Sequence, residues 1–276
     1  MTEARRPESP IRYGPAVWEG PPQRYGPVAR VAALSDVHGN VPALEAVLAE
    51  PDVVAADLVV FCGDITWGSE PQRTYELIAS LGDRARAVRG NGDRFAAEIA
   101  AGRREPGSAR ERWIPAQHSP EAARFLAELP FSLLVEIGTL GPVLFCHGSP
   151  RSDHELVTPG TPPARFAELA ALAPAEARTI VSGHTHLQFD RAVAGLRSVN
   201  PGSVGLPYHC GEPGTAYWAL LGPDVELRSS HYDASAALAR AHASGDPAAA
   251  RVEELLLRSP TPDEIVADAE SRVFAN

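Results

Sequence analysis

From residue 28 onward, short apolar runs alternate with amphipathic stretches. The runs are VARVAALS (28–35), LVVFC (58–62), ARAVR (85–89), FSLLVEI (131–137), PVLFC (142–146) and RTIVS (178–182). RAVAGLRSV (191–199), TAYWALL (215–221) and VELRSS (225–230) follow with little between them. Short, nearly continuous apolar runs bounded by turn residues predict strands buried on both faces. Helices fall between the early runs. Leu44, Val47 and Leu48 recur at helical spacing after Asn40, with Pro42 in the first turn. Residues 70–81 read as a second helix, and Ser119-Pro120 opens a third that continues to Leu129. Residues 102–108 read as a loop between helical pieces. Alternation early and strands late predict an α/β fold of two stacked β-sheets flanked by helices.

Both ends differ from this pattern. Residues 1–28 are rich in Pro, Gly and Arg and read as an extended tail. The main domain then covers residues 29–232, and residues 233–276 form a helical extension. In the extension, Asp246-Pro247 starts a helix carrying Val252, Leu255 and Leu256 on one face, and Thr261 to Glu264 is a capping-box signature. These helices read as packing elements.

Composition narrows the function. The chain has 276 residues and a net charge of −10. Such a surface repels a phosphate backbone, so duplex nucleic acid is not an expected partner. No apolar run reaches membrane-spanning length, and MTEARRPESP lacks the apolar core of a signal peptide, so a cytoplasmic protein without a membrane partner is expected. Cys62, Cys146 and Cys210 are too few for a disulfide framework and read as reduced thiols. The chain contains no lysine. That excludes P-loop, kinase-type and Schiff-base chemistry. Any phosphate chemistry needs another source of positive charge.

The apolar runs end in polar groups of a particular kind. The first ends in Ser35-Asp36-Val37-His38-Gly39-Asn40, the second in Cys62-Gly63-Asp64 and the third in Gly90-Asn91-Gly92-Asp93. PVLFC ends in His147-Gly148-Ser149-Pro150, and RTIVS in Gly183-His184-Thr185-His186. The C-terminal edge of such a sheet is where ligands bind. At a strand tip, residues two apart point the same way, which would bring Asp36 to His38 and His184 to His186. Mixed oxygen and nitrogen donors suit divalent transition metals. A lone Asp, His or Asn after a strand is ordinarily a cap or turn residue, but five strand ends in succession carry such groups.

The series DVHGN, GDI, GNGD, HGSP, GHTH and NPGSVG resembles the calcineurin-like metallophosphoesterases, and is closest to their small bacterial and archaeal phosphodiesterase branch. The resemblance spans residues 31 to 221. It implies a four-layer sandwich of two mixed sheets between helices. It also implies two divalent metal ions, manganese first, with iron, nickel and zinc tolerated by the same donors. Asp36, His38 and His186 would hold one ion, Asn91, His147 and His184 the other, and Asp64 would bridge them. The implied reaction is hydrolysis of a small phosphodiester or phosphomonoester by a metal-bridging hydroxide. Ser149 is then a turn residue, and no covalent intermediate is needed.

One position departs from the pattern. Many relatives carry His after the Asn, where it faces the phosphate and protonates the leaving group; here that substrate-facing position is Gly92. Either the substrate has a good leaving group, or another side chain supplies the proton. His154 and His209 are the candidates for that role, and Arg151 is a candidate phosphate clamp. Asp93 reads as a support for the Asn91 loop or for a histidine ligand. An alternative reading is a catalytically inactive scaffold that binds partners, in which case the complete donor set would have no purpose. A metallohydrolase of another His-x-His family fits poorly, because the His pair comes late and no HxHxDH is present.

Overall fold

Alternate residues of the central strands go to opposite faces, and both faces are covered. In the computed structural model, which describes residues 12–13, 20–209 and 211–274, thirteen strands and ten helices follow one another. The strands are β1 (Arg12–Tyr13), β2 (Gln23–Val28), β3 (Val31–Leu34), β4 (Leu58–Phe61), β5 (Ala85–Ala87), β6 (Leu133–Ile137) and β7 (Gly141–Phe145). Then come β8 (Thr179–Val181), β9 (Gln188–Val193), β10 (Leu196–Pro201), β11 (Thr215–Leu221), β12 (Val225–His231) and β13 (Val273–Phe274). The helices are α1 (Val41–Leu48), α2 (Pro51–Val54), α3 (Pro71–Ser80), α4 (Asn91–Ala100), α5 (Ala109–Ala116) and α6 (Pro120–Glu128). They continue with α7 (Pro163–Leu169), α8 (Ala234–Ala243), α9 (Ala249–Leu257) and α10 (Pro262–Ser271).

Two mixed sheets result. One has the order β12-β11-β3-β4-β5, the other β2-β6-β7-β8-β10-β9, and β1 pairs with β13 in a small third sheet. Val31, Ala33, Leu58 and Val60 meet Val135, Val143, Phe145 and Val181 in an apolar layer between the two large sheets. The intervening residues Ala32, Leu34, Val59 and Phe61 turn outward onto Leu44, Val47, Ile78, Ile114 and Leu126 of the helices. On the far side, Leu134, Leu144 and Ile180 pack on Phe166 and Leu169 of α7. A side chain such as Phe61 or Phe145, wholly removed from water, contributes about 1.5–3 kcal/mol. The expected helix–sheet–sheet–helix layering is therefore what is found. No helix among the described residues is long and apolar enough to cross a membrane.

Two details differ from the sequence reading. RAVAGLRSV is two strands, β9 and β10, joined by a turn at Ala194 and Gly195, both with left-handed backbone. Gln23–Val28, read as tail, is an edge strand parallel to β6. Its side chains are mostly exposed, so it carries no apolar signature. The rest of the Pro-rich stretch, apart from residues 12–13 and 20–22, lies outside the described residues, as does Cys210. Cys62 and Cys146 are buried free thiols, and burial pushes both upward in pKa.

The C-terminal helices are fastened to the main domain by polar groups. Asp246, before α9, is buried and accepts from Ser69 Oγ at 2.9 Å and from Arg110 Nε and Nη2 at 3.1 and 2.7 Å. Arg240 of α8 donates two bonds to Glu70. On the other side, Glu270 of α10 accepts from the hydroxyls of Thr158 and Thr161, both at 2.7 Å. The capping box at Thr261 and Glu264 is formed as read.

His118, between α5 and α6, shares a 3.0 Å hydrogen bond with Thr66 Oγ1, and burial pushes its pKa down to about 4. The unfolded chain therefore binds a proton that the folded chain refuses between about pH 6.5 and pH 4. Stability is full above that window and falls as pH drops through it, by at most about 3 kcal/mol. Urea denaturation from pH 7 to 4 is expected to show a shallower fall for His118→Gln than for the parent; equal slopes would mean that His118 titrates normally.

Candidate metal centre

The strand ends gather into one cluster at the C-terminal edges of β3, β4, β7 and β8. Asp36, His38 and His186 bring one ligand atom each within 4.8 Å of one another, and so do Asp64, His147 and His184. The convergence does not come from strand alternation. Asp36, His38, Asp64, His184 and His186 all have φ between 49° and 65°. Left-handed backbone is uncommon for residues other than glycine and costs about 1–3 kcal/mol each where the surroundings impose it. Ala194 is the one other such residue among those described. Backbone strain is thus concentrated on the donors themselves.

The chain holds these loops from behind. The segment after β10 runs along their base: Val204 N–H donates to Ser35 O, and Gly205 N–H and Ser203 Oγ both donate to Asp36 O. Asn200 Nδ2 donates to Gly183 O and to Thr185 Oγ1. Asp93, fully buried, accepts from the N–H groups of Ile65 and Gly90 at 3.0 Å each. It thereby ties the Asp64 loop to the first turn of α4, the loop-supporting option of its sequence reading. Burial, and then the charge on Asp64, raise the Asp93 carboxyl to about 6.

Each histidine is fixed by one ring nitrogen. His38 Nδ1 lies 2.9 Å from Trp67 O, His147 Nδ1 2.7 Å from Cys62 O, and His186 Nδ1 2.5 Å from Leu206 O. A carbonyl only accepts, so each Nδ1 carries the proton and each Nε2 presents a lone pair. His184 is reversed: Nε2 donates to His154 O at 3.2 Å, leaving Nδ1 as the donor atom. Burial, and then the His147 ring, push His184 down to about 3, which keeps it a neutral donor.

The lone pairs face one another. His38 Nε2 and His186 Nε2 are 3.0 Å apart, and Asp36 Oδ1 is 3.7 and 3.3 Å from them. Asp36 Oδ1 is buried with no hydrogen-bond partner. Three acceptors at this spacing repel unless a cation sits among them. In the second group, His147 Nε2 is 3.1 Å from Asn91 Oδ1 and 3.5 Å from Asp64 Oδ1. Asp64 faces both groups, because its Oδ2 lies 3.9 Å from His38 Nε2. The imidazole, carboxylate and amide donors fit a pair of divalent transition metals.

The remaining site residues fall in different places. His154 stands beside the centre: its carbonyl orients His184, and its Nε2 accepts from Arg94 Nη2 at 2.7 Å. Arg151 is not free to clamp a phosphate, because Nε and Nη2 are paired with the buried Glu155 at 2.8 and 2.7 Å. His209 Nδ1 accepts from Gly211 N–H, its ring is tilted against Tyr217, and it lines a cavity together with His186. Gly92 is buried, and its N–H donates to Asp64 Oδ1 at 2.7 Å. A Cβ there would meet Trp67 Cβ and Cγ at 2.7 Å. Position 92, read as substrate-facing, is thus packed against Trp67 and braces Asp64 through its N–H. Ser149 is a turn residue, accepting from Arg151 and Ser152 N–H and donating to Glu155.

Two residues the sequence did not single out belong to the site. Arg94, one turn beyond Asn91, pairs with both oxygens of Asp153 at 2.7 and 3.0 Å and so fixes the loop after His147. Tyr208 stacks on His186 with ring centroids 4.7 Å apart. An Arg three residues past a candidate ligand on a helix was a usable signal for the first; nothing in the sequence marked the second.

A family model described as the calcineurin-like phosphoesterase superfamily domain matches residues 30–220. The solved structure of a metallophosphoesterase from Sphaerobacter thermophilus is 26% identical and superposes with a TM-score of 0.62. That match covers 82% of this chain and 99% of the other. A hypothetical protein from Pyrococcus horikoshii OT3 shares the fold at 21% identity and a TM-score of 0.66, over 84% of this chain and 99% of its own. No protein of curated function matches the sequence.

Proposed function

The chain belongs to the calcineurin-like phosphoesterase superfamily, and from that premise we propose that it hydrolyses a small phosphodiester or phosphomonoester with a pair of divalent metal ions. The observation that carries the reading is Asp64, a single carboxylate with one oxygen toward each donor group. When bound, two such ions supply Lewis acidity, lower the pKa of water and hold phosphate oxygens. Manganese is the proposed ion, and the same donors tolerate iron, nickel and zinc.

The chain's own residues prepare the site. The backbone carbonyls of Trp67, Cys62 and Leu206 fix three rings with Nε2 inward, so the donors are in place before anything binds. Only Asp36 and Asp64 are anionic in the donor set. A pair of divalent cations therefore leaves the centre net positive, and it attracts phosphate on a protein of net charge −10 without lysine. His154 is the side chain proposed to contact the leaving oxygen. Its Nε2 accepts from Arg94, so in the neutral ring the proton is held at Nδ1. His209 and Arg151 have no part in this proposal.

An activated aryl phosphodiester is expected to be hydrolysed by the manganese-treated protein, with activity lost in EDTA and restored by manganese. A panel of monoesters and diesters against manganese, iron, nickel and zinc would then rank substrates and ions. Turnover undiminished by exhaustive chelation would overturn the metal-dependent reading. No turnover of any ester with any ion would favour a scaffold that binds without catalysis.

A further inference from the structure

A cavity adjoins the metal centre at His186. It has a volume of about 190 Å³ and is lined by Pro159, His186, Leu187, Gln188, Tyr208, His209, Tyr217 and Pro262. His186 belongs to both places. Its Nε2 faces Asp36 at 3.3 Å, and its ring is stacked under Tyr208, interplanar angle 18°. The His186 imidazole is thus shared by the donor group and the cavity wall.

The lining has a definite chemistry. It contains flat rings at fixed angles: Tyr208 parallel to His186, and His209 tilted by 59° against Tyr217 with centroids 4.9 Å apart. Pro159 and Pro262 close it with rigid apolar faces. Among the described residues no Asp, Glu or Arg lines it, so a second phosphate or a carboxylate would find no cationic partner among them. A few polar groups remain. His209 Nδ1 accepts from Gly211 N–H at 2.7 Å, which places the proton of the neutral ring on Nε2. That Nε2–H is a donor, and the Tyr208 and Tyr217 hydroxyls both donate and accept. Burial lowers the pKa of His209, consistent with a neutral ring. Aromatic walls with a few fixed hydrogen-bonding groups and no charge suit a neutral planar heterocycle.

Resting on the phosphoesterase reading, we propose that this cavity receives the nucleobase of a nucleotide-type phosphoester, with the phosphate on the metal side of His186. It also gives the C-terminal extension a role in recognition, since Pro262 at the start of α10 supplies one wall.

Calorimetry on EDTA-treated protein tests the cavity apart from hydrolysis. The probes are adenosine, which carries the ring without phosphate, and ribose 5-phosphate, which carries phosphate without the ring. Adenosine is expected to bind without metal and ribose 5-phosphate not to. His209→Ala, which removes a ring and a donor, and Pro262→Trp, which fills the cavity from α10, are each expected to weaken adenosine about tenfold. Thermal melts of both variants establish that they fold. Failure of adenosine to bind the parent, or equal binding by the parent and the folded variants, would overturn the proposal while leaving metal-dependent hydrolysis standing. Adenosine binding in a protein that hydrolyses no ester would keep the cavity and remove the phosphoesterase reading.

Discussion

Asp64→Asn is expected to lower kcat on an aryl phosphodiester by roughly a thousandfold or more, with the fold intact. Asp64 is the carboxylate that faces both donor groups, at 3.9 Å from His38 Nε2 and 3.5 Å from His147 Nε2. An amide keeps an oxygen to accept the Gly92 N–H, so the loop has no reason to move. It removes the negative charge and turns one oxygen into a donor that no cation tolerates. The metal-free variant should be no less stable than the parent near neutral pH. The charge on Asp64 helps hold Asp93 up to about 6, and removing it relieves a repulsion between buried carboxylates. The measurements are kcat, bound metal by mass spectrometry, and melting temperature with and without manganese. The parent should gain stability from the ion and the variant should gain little. Parental turnover in Asp64→Asn would remove the bridging assignment.

Gly90→Ala should be nearly as damaging for a steric reason. A Cβ at position 90 would lie 2.2 Å from both the backbone nitrogen and Oδ1 of Asp64. The colliding atoms are main chain and a short side chain, so the Asp64 loop itself must shift. A displacement of about 1 Å at a reacting centre costs on the order of a hundredfold in rate, and overpacking costs roughly 1–3 kcal/mol. Gly107→Ala is the control. Its Cβ would come no closer than 3.5 Å to Glu111 Oε2, an ordinary contact. Activity and urea midpoints of the two variants should therefore diverge. Parental values for Gly90→Ala would mean that the packing behind Asp64 is looser than described.

The sequence revealed most where apolar pattern and chemistry coincided. TAYWALL is β11 residue for residue, and LVVFC, PVLFC and RTIVS each end at a donor because the strands are buried on both faces. The exposed edge strand β2 was missed for the converse reason: a strand with little to bury leaves no apolar trace. The start of α4 was hidden inside Gly90-Asn91-Gly92-Asp93, which spells a turn until Asp93 is seen capping the helix. The candidate donors were singled out together in the sequence, and six of them meet in two groups of three. How they converge was not legible, since alternation along a strand was expected and paired left-handed turns were found. Arg151 was misplaced although its partner was in view: Glu155 lies four residues on, and a buried carboxylate nearby takes a guanidinium before a ligand can.

The polar fastenings of the C-terminal helices bear on which molecules can enter. Asp246 is 177 residues away in sequence from the Ser69 it holds, and Glu270 is 112 from Thr158. These bonds hold the start of α9 to the loop before α3 and α10 to the loop before α7. One wall of the cavity beside His186, Pro262, thus comes from outside the residues that match the superfamily. Two chains with the same candidate donors, one with this C-terminal wall and one without, need not admit the same guests.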